Sequence, residues 1–364
     1  MAEPAAVSDR EQRILGIIET ARAKRGKFRD ERINMAHGAG GKATQSLIEG
    51  LFVPAFGGEA LGAMADAGSI RVDGTELAMT TDSFVVKPLT FPGGSIGDLA
   101  VNGTVNDLAV AGAELLALTL SLVLEEGLAA DELRAHVAAI AAAAEAAGVE
   151  IVAGDTKVVE RGHADGMYVC TTGVGRRDPR ARLSPDAIRP GDRILLSGTV
   201  GEHGTAIMLA RGEFELGAEI ESDTRSLWPV ADALMEAAGP ALHCMRDATR
   251  GGAASVLNEL ARASRVAMLV RESAVPVHPA VMGACELLGI DPMYVANEGK
   301  LVAFVAAEAA DDALAALRAV PGCEQAAEIG EVRTEPPGMV LVETSFGGKR
   351  VMDQLVGDPL PRIC

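Results

Sequence analysis

The 364-residue chain ends in Pro359-Leu360-Pro361-Arg362-Ile363-Cys364, and a thiol at that position is a candidate for delivery into a neighbouring site. Two prolines restrict the segment to extended conformations, and the eight residues after Val356 reach roughly 25 Å at about 3.3 Å each. Prenylation is not expected, because its signal needs three residues after the cysteine. Five aspartates stand at strand ends or beside glycines: Asp66, Asp82, Asp107, Asp155 and Asp247. Hard carboxylate oxygens in such places can hold Mg²⁺ against the phosphates of a nucleotide, although each aspartate alone serves equally well as a helix cap or turn residue.

The loops are selective in what they permit. His37-Gly38-Ala39-Gly40-Gly41-Lys42-Ala43-Thr44 has the wrong glycine spacing for a P-loop and puts Ala43 after the lysine, and no GxGxxG follows a strand. A Walker site and a nicotinamide fold are therefore excluded. Gly251-Gly252 after Arg250 marks a strand-to-helix turn where backbone N–H groups can face an anion or simply turn the chain. Lys157 can neutralise phosphate and Glu298 can take a proton from nitrogen, with a surface ion pair as the alternative for each. His37, His203 and His243 are weaker candidates, as turn histidines beside glycine or at strand starts.

Positioning these groups requires strands and helices in alternation. Strand-like runs end in Leu77 to Asp82, helices are expected over Ala43 to Phe52, Ile96 to Ala113 and Asp131 to Ala147, and a helical extension over Glu11 to Arg32. The strand Glu150 to Ala153 is expected to lead into a loop Gly154-Asp155-Thr156-Lys157, before a strand Met167 to Val174. After a break rich in Arg, Pro and Asp at Asp178 to Gly191, alternation resumes, with strands Arg193 to Ser197, Cys244 to Asp247, Ala267 to Arg271, Leu301 to Ala306 and Ala327 to Val332. Helices Gly201 to Ala210, Gly252 to Ala263, Pro279 to Leu288 and Ala309 to Val320 lie between them. The fold class is α+β, with α/β mixing, in two lobes.

A formal charge of −18 argues against a nucleic-acid or anionic-membrane partner. Met1 to Arg10 carries no secretion signal, and no apolar run is long enough to span a bilayer, so a cytoplasmic protein is expected. The five cysteines form no zinc spacing.

The strings AHGAGG, TTDSFVV, FPGGSIGDLAVNGTVNDLAVAGA, GDTKVVERG, RDATRGG, NEGKLV and the terminal PLPRIC, in order over residues 33 to 364, resemble the HypE family of hydrogenase maturation proteins. That resemblance implies an aminoimidazole ribonucleotide synthetase-like fold. Residues 33–178 would form an ATP-binding and dimerisation lobe with a dimeric β-barrel-like core, 179–345 an α/β sandwich and 346–364 a flexible tail, after an extension over 1–32. It implies a carbamoyl dehydratase using ATP and Mg²⁺. Cys364 receives a carbamoyl group from the carbamoyltransferase HypF and has it dehydrated to a thiocyanate. The cyano group then passes to iron held by HypC and HypD, as a ligand for [NiFe]-hydrogenase.

Because the phosphoryl transfer that the resemblance implies is mainly positioning and charge neutralisation, Asp66, Asp107 and Asp247 are the expected Mg²⁺ ligands, and Asp82 and Asp155 stand near the nucleotide. Asn102 and Asn106 contact phosphate or ribose, and Gly251 and Gly252 face the phosphates. Lys157 and Glu298 orient the carbamoyl group and remove its nitrogen protons, with the choice of base open. An ATP-dependent kinase or synthetase acting on a soluble small molecule is the alternative, and a nucleotide-gated scaffold without catalysis is the third reading.

Overall fold

The computed structural model describes residues 28–57, 65–212, 219–357, 360 and 362–364. Of the helix expected over Glu11 to Arg32, residues 11–27 lie outside these, and residues 28–32 are not helical.

The first lobe is a five-stranded sheet in the order β1-β2-β7-β5-β6, formed by β1 (Gly68–Val72), β2 (Thr75–Phe84), β5 (Ala113–Glu125), β6 (Ile151–Val159) and β7 (Met167–Arg177). Within the chain this sheet is open, with β1 and β6 at its edges, and does not close into a barrel. A small hairpin of β3 (Thr90–Phe91) and β4 (Gly94–Ser95) precedes the central helix. Counting from the short helices α1 (Lys42–Leu47) and α2 (Val53–Phe56), this central helix is α3 (Ile96–Val110), and α4 (Ala130–Ala146) packs beside it.

Helix α3 starts where Ser95 Oγ accepts the Gly97 N–H, with Asp98 in the first turn facing the positive helix end. Its Ala, Gly and Val residues let it be buried nearly all round, against the sheet on one side and the second lobe on the other. Strand β2 alternates accordingly: Ala78, Thr80 and Phe84 face the core, whereas Met79, Thr81 and Ser83 are exposed. Exposed Met79, Leu116, Val152 and Val158 stand on strands of this sheet as well.

The second lobe is a seven-stranded sheet, β14-β13-β10-β12-β8-β11-β9, comprising β8 (Arg193–Leu196), β9 (Leu242–Asp247), β10 (Ala267–Arg271), β11 (Leu301–Val305), β12 (Ala327–Arg333), β13 (Met339–Glu343) and β14 (Lys349–Met352). Helices α5 (Glu202–Ala210), α6 (Trp228–Ala238), α7 (Gly252–Ser264), α8 (Pro279–Leu288) and α9 (Ala310–Ala319) accompany it. One core cluster joins Val256, Leu257 and Leu260 of α7 to the sheet, and another joins α6 and α9 to it. The second of these also takes in Ala109 and Val110 of α3, so the two lobes share apolar core.

Two expectations are corrected here. Gly154 to Lys157 is no loop but the middle of β6, because, after a register shift at Val152, Ala153 to Val159 pair residue by residue in parallel with β5 from Thr119 to Glu125. The stretch from residue 346 is not a free tail throughout, because Lys349–Met352 forms β14 against β13.

Candidate active site between the lobes

Asp66, just ahead of β1, Asp107 on α3 and Asp247 at the end of β9 converge, each offering one carboxylate oxygen within 4.8 Å of the others. Three elements from both lobes thus meet at one point. Burial pushes the Asp107 carboxyl well above the usual range, and the neighbouring Asp247, Asp66 and Asp82 charges push it further. Asp247 is pushed up to about 8, by burial first and by Asp66 next. Asp66 is also raised by burial, against the pull of Arg246, whose Nη1 lies 2.8 Å from Asp66 Oδ1. Thr80 Oγ1 donates to Asp107 Oδ2 at 2.6 Å and fixes its orientation. Three crowded carboxylates with one adjacent arginine are a donor set of hard oxygens short of positive charge, which fits a divalent cation such as Mg²⁺.

Glu298 stands at the same centre. It is 3 % exposed, and its Oε1 has no hydrogen-bond partner among the described residues. Burial raises its carboxyl well above the ordinary value, with Asp223, Asp82 and Asp247 adding to the effect. A carboxylate held this way is poised to accept a proton. Its segment is held by Asp223, whose Oδ1 accepts the Glu298 N–H at 3.0 Å and whose Oδ2 accepts the Gly299 N–H at 3.2 Å and Lys300 Nζ at 3.0 Å. Asn297 shapes the same loop, donating to Ala248 O at 2.8 Å and accepting the Gly201 N–H at 2.7 Å.

Gly251 and Gly252 open α7 with φ of 75° and 62°. A Cβ at Gly252 would lie 2.4 Å from Met293 O and 2.7 Å from Val295 O, so the turn is pressed flush against the segment leading to Glu298. Asn102 donates to Thr224 Oγ1 at 3.2 Å.

Asn106 is placed differently from the expectation of a ligand contact. Its Nδ2 donates to Arg225 O at 3.0 Å and to Glu298 O at 3.1 Å, while its Oδ1 accepts the Leu227 N–H at 2.7 Å. At 1 % exposure, with both amide ends engaged, it braces one lobe against the other rather than facing a ligand.

Asp155 and Lys157 do not join this centre within the protomer. Cross-strand partners share a face, and Asp155 is in register with Ser121, Cys170 and Ser83, whereas Asp82 is in register with Thr171. Thr171 Oγ1 donates to Ala100 O on α3, so Asp82 faces the helices and Asp155 and Lys157 face the open side. Three strand spacings, about 14 Å, separate β6 from β2 as well. There Lys157 Nζ pairs with Asp155 Oδ2 at 2.6 Å, both side chains well exposed, and this contact holds the Asp155 carboxyl below its ordinary range.

The tail approaches the centre from the other side. Val85 N–H donates to Cys364 O at 3.1 Å and Lys87 N–H to Arg362 O at 3.2 Å, so the segment runs alongside the chain leaving β2. Leu360 and Ile363 are buried, and half-buried Cys364 packs on a core cluster that includes Val295 and Ala296, just ahead of Glu298. His203 Nε2 lies 2.6 Å from Ile363 O, and burial favours its neutral form. His37, by contrast, pairs with Asp30 and Asn34, and His243 is enclosed by Asp192 and Arg189, so neither is among the groups described at this centre.

Asp223, Lys300, Asn297 and His203 as a tail contact were the residues missed from sequence. Lys300 lies in the NEGK string, but nothing local in Glu221-Ser222-Asp223 signals a partner some 75 residues onward.

Two family models match this chain: the AIR synthase related protein N-terminal domain over residues 64–177 and the corresponding C-terminal domain over residues 189–342. The carbamoyl dehydratase HypE of Bradyrhizobium diazoefficiens is 49% identical over 332 residues, covering 91% of this chain and 96% of that protein. A solved HypE–HypF complex aligns with TM-score 0.81 at 43% identity, covering 85% of this chain and 99% of that one. HypE in complex with ATP aligns with TM-score 0.77 at 44% identity, covering 92% of this chain and all of that one.

Proposed function

This chain belongs to the family of HypE carbamoyl dehydratases, and from that premise we propose that it dehydrates a carbamoyl group carried on Cys364, using ATP. The observation that carries the reading is the docked tail, which seats Cys364 on the same apolar cluster as the residues preceding Glu298. The carbamoyl oxygen attacks the γ-phosphorus of ATP, ADP departs, and, with the first of the two nitrogen protons released to water, an S-bound imidate phosphate with one nitrogen proton remains. Glu298, with its raised proton affinity and unpartnered oxygen, takes the nitrogen proton as the C–O bond breaks. Phosphate leaves and the sulfur carries a nitrile. Sulfur suits the next transfer, because a thiolate leaves readily when the cyano carbon is taken.

Asp66, Asp107 and Asp247 would hold Mg²⁺, which when bound offsets the charge of the phosphate oxygens. Asp82 faces the same space. HypF is the carbamoyl donor and a HypC–HypD pair the cyanide acceptor, all in the cytoplasm. Lys157 belongs to a second copy's site: the open sheet face, with Met79 and Leu116 exposed, is covered in a homodimer, which brings β6 of one protomer to the other.

The test is intact-mass analysis after incubation with carbamoyl phosphate, ATP, Mg²⁺ and an active HypF, with mapping of the tail peptide. One carbamoyl group on Cys364, followed by loss of one water only with hydrolysable ATP, is the expected result, and Glu298→Gln keeps the first gain without the loss. An unmodified Cys364 beside a verified transferase would favour the soluble-substrate kinase instead.

A further inference from the structure

His203 is wholly buried at the start of α5, and the two groups it touches fix its protonation pattern. Ile363 O can only accept, so the proton must sit on Nε2. Ser222 Oγ, 2.8 Å from Nδ1, already accepts the Thr224 N–H at 3.2 Å, which leaves its own hydroxyl proton to donate to Nδ1. The ring is further held edge-on by Phe91 at 5.6 Å. The residue after Ser222 is Asp223, which grips the Glu298 and Gly299 N–H groups and Lys300. Two neighbouring residues therefore hold the receptor of the tail and the segment of the proton acceptor.

Packing points the same way. A Cβ at Gly204 would lie 2.6 Å from Val295 Cγ1 and 3.2 Å from Leu360 Cδ1, so α5 is seated flush against both the tail and the Glu298 segment. On the outer side the tail is held by groups of another kind. Arg362 Nη1 meets Asp165 Oδ2 at 2.7 Å, Lys87 Nζ meets Asp165 Oδ1 at 2.8 Å, and Arg211 donates to Arg362 O. These contacts are partly exposed and hence screened by salt.

We propose that His203 is the residue that receives the tail, and that Ser222-Asp223 is a clamp setting the register between the Cys364 adduct and Glu298. This rests on the dehydratase reading for its catalytic meaning, but the latch itself does not. His203 and Ser222 are positioning residues: neither is assigned contact with the reacting atoms.

The experiment measures the rate of Cys364 alkylation by iodoacetamide in the full-length protein without substrates, read by mass spectrometry of the tail peptide. Docking shields the thiol, so the rate follows the undocked population. Loss of one buried hydrogen bond in His203→Ala should raise the rate roughly fivefold to tenfold. His203→Gln, whose amide N–H can donate to the Ile363 carbonyl, should restore most of the protection, and Ser222→Ala should give an intermediate rise. With carbamoylated protein, single-turnover loss of water should slow in the same order while carbamoyl loading is not reduced. An unchanged alkylation rate in a folded His203→Ala, or in Ser222→Ala should the first variant not fold, would overturn the latch. So would His203→Gln behaving like alanine, since the ring would then only fill space. Failure of HypF to modify Cys364 would instead strike the dehydratase reading and leave the alkylation result standing.

Discussion

Replacing Asp247 by asparagine should stabilise the metal-free protein and abolish its response to Mg²⁺. Asp247 is 6 % exposed, and burial with Asp66 alongside pushes its carboxyl from 3.8 to about 8. A folded-state value above the unfolded one means that the folded chain binds the proton more tightly. The associated stability is therefore complete below pH 4 and is lost as pH rises toward 8. From 3.8 to pH 7 is about three pH units at about 1.4 kcal/mol each, a ceiling of about 4 kcal/mol that relaxation around the site will reduce. Thermal melts in chelator from pH 5 to 8 should show the wild type losing stability with rising pH. Asp247→Asn should lose less and melt higher at pH 8. Added Mg²⁺ should raise the wild-type midpoint and leave the variant's nearly unchanged, because one of the three convergent carboxylates proposed to hold it is gone. A metal-free wild type that gains stability from pH 5 to 8, or a variant that melts lower than wild type at pH 8 in chelator, would refute the reasoning.

Cys364→Ser should remove all tail chemistry while leaving ATP affinity within about twofold in equilibrium binding, since Asp107 is oriented by Thr80 and Asp66 by Arg246, and the substitution touches neither pair. In the proposed homodimer, mixing inactive Lys157→Ala with inactive Glu298→Ala and allowing subunits to exchange should recover about a quarter of wild-type dehydration, because only half the dimers would be mixed and one site in each intact. No recovery would mean that Lys157 acts within its own protomer or not in the site. Gly252→Ala should lower stability by about 2 kcal/mol or more in denaturant melts, since φ of 62° and a Cβ 2.4 Å from Met293 O leave it no room.

Elements with their own start and stop signals were legible from sequence. Strand β10 and helix α8, with Pro279 at its first position and Gly289 beyond its last, occupy the residues expected of them. Strand β5 was passed over because it follows α3 with only Ala111 and Gly112 between, so no polar loop separates the strand from the apolar helix before it. Of the carboxylates that converge, Asp66 just ahead of β1 and Asp247 at the end of β9 were visible by type and local position, whereas Asp107 lies inside α3 and only the packing of that helix brings it to them. The side of the sheet on which a strand residue points is set by register, so GDTK could be noticed without showing that Lys157 faces away from Asp107. Asp223 was invisible for the same reason in a stronger form: two of its partners are backbone amides of a distant segment, which carry no sequence signature, and the third, Lys300, lies 77 residues away.

The bonds of Asn106 bear on how the molecule can move. From α3 it reaches Arg225, Leu227 and Glu298 in the second lobe, and the lobes also share an apolar cluster. Hinging one lobe against the other would break three buried hydrogen bonds at roughly 1 kcal/mol each and open packed core besides. Undocking the tail releases a few main-chain and side-chain bonds and two buried aliphatic residues, Leu360 and Ile363. Among the described residues the tail is thus a segment that can leave without parting the two lobes, and the body acts as its stator. The tempo of a catalytic cycle that visits separate stations is then governed by the length and stiffness of a short leash, not by the compliance of a cleft.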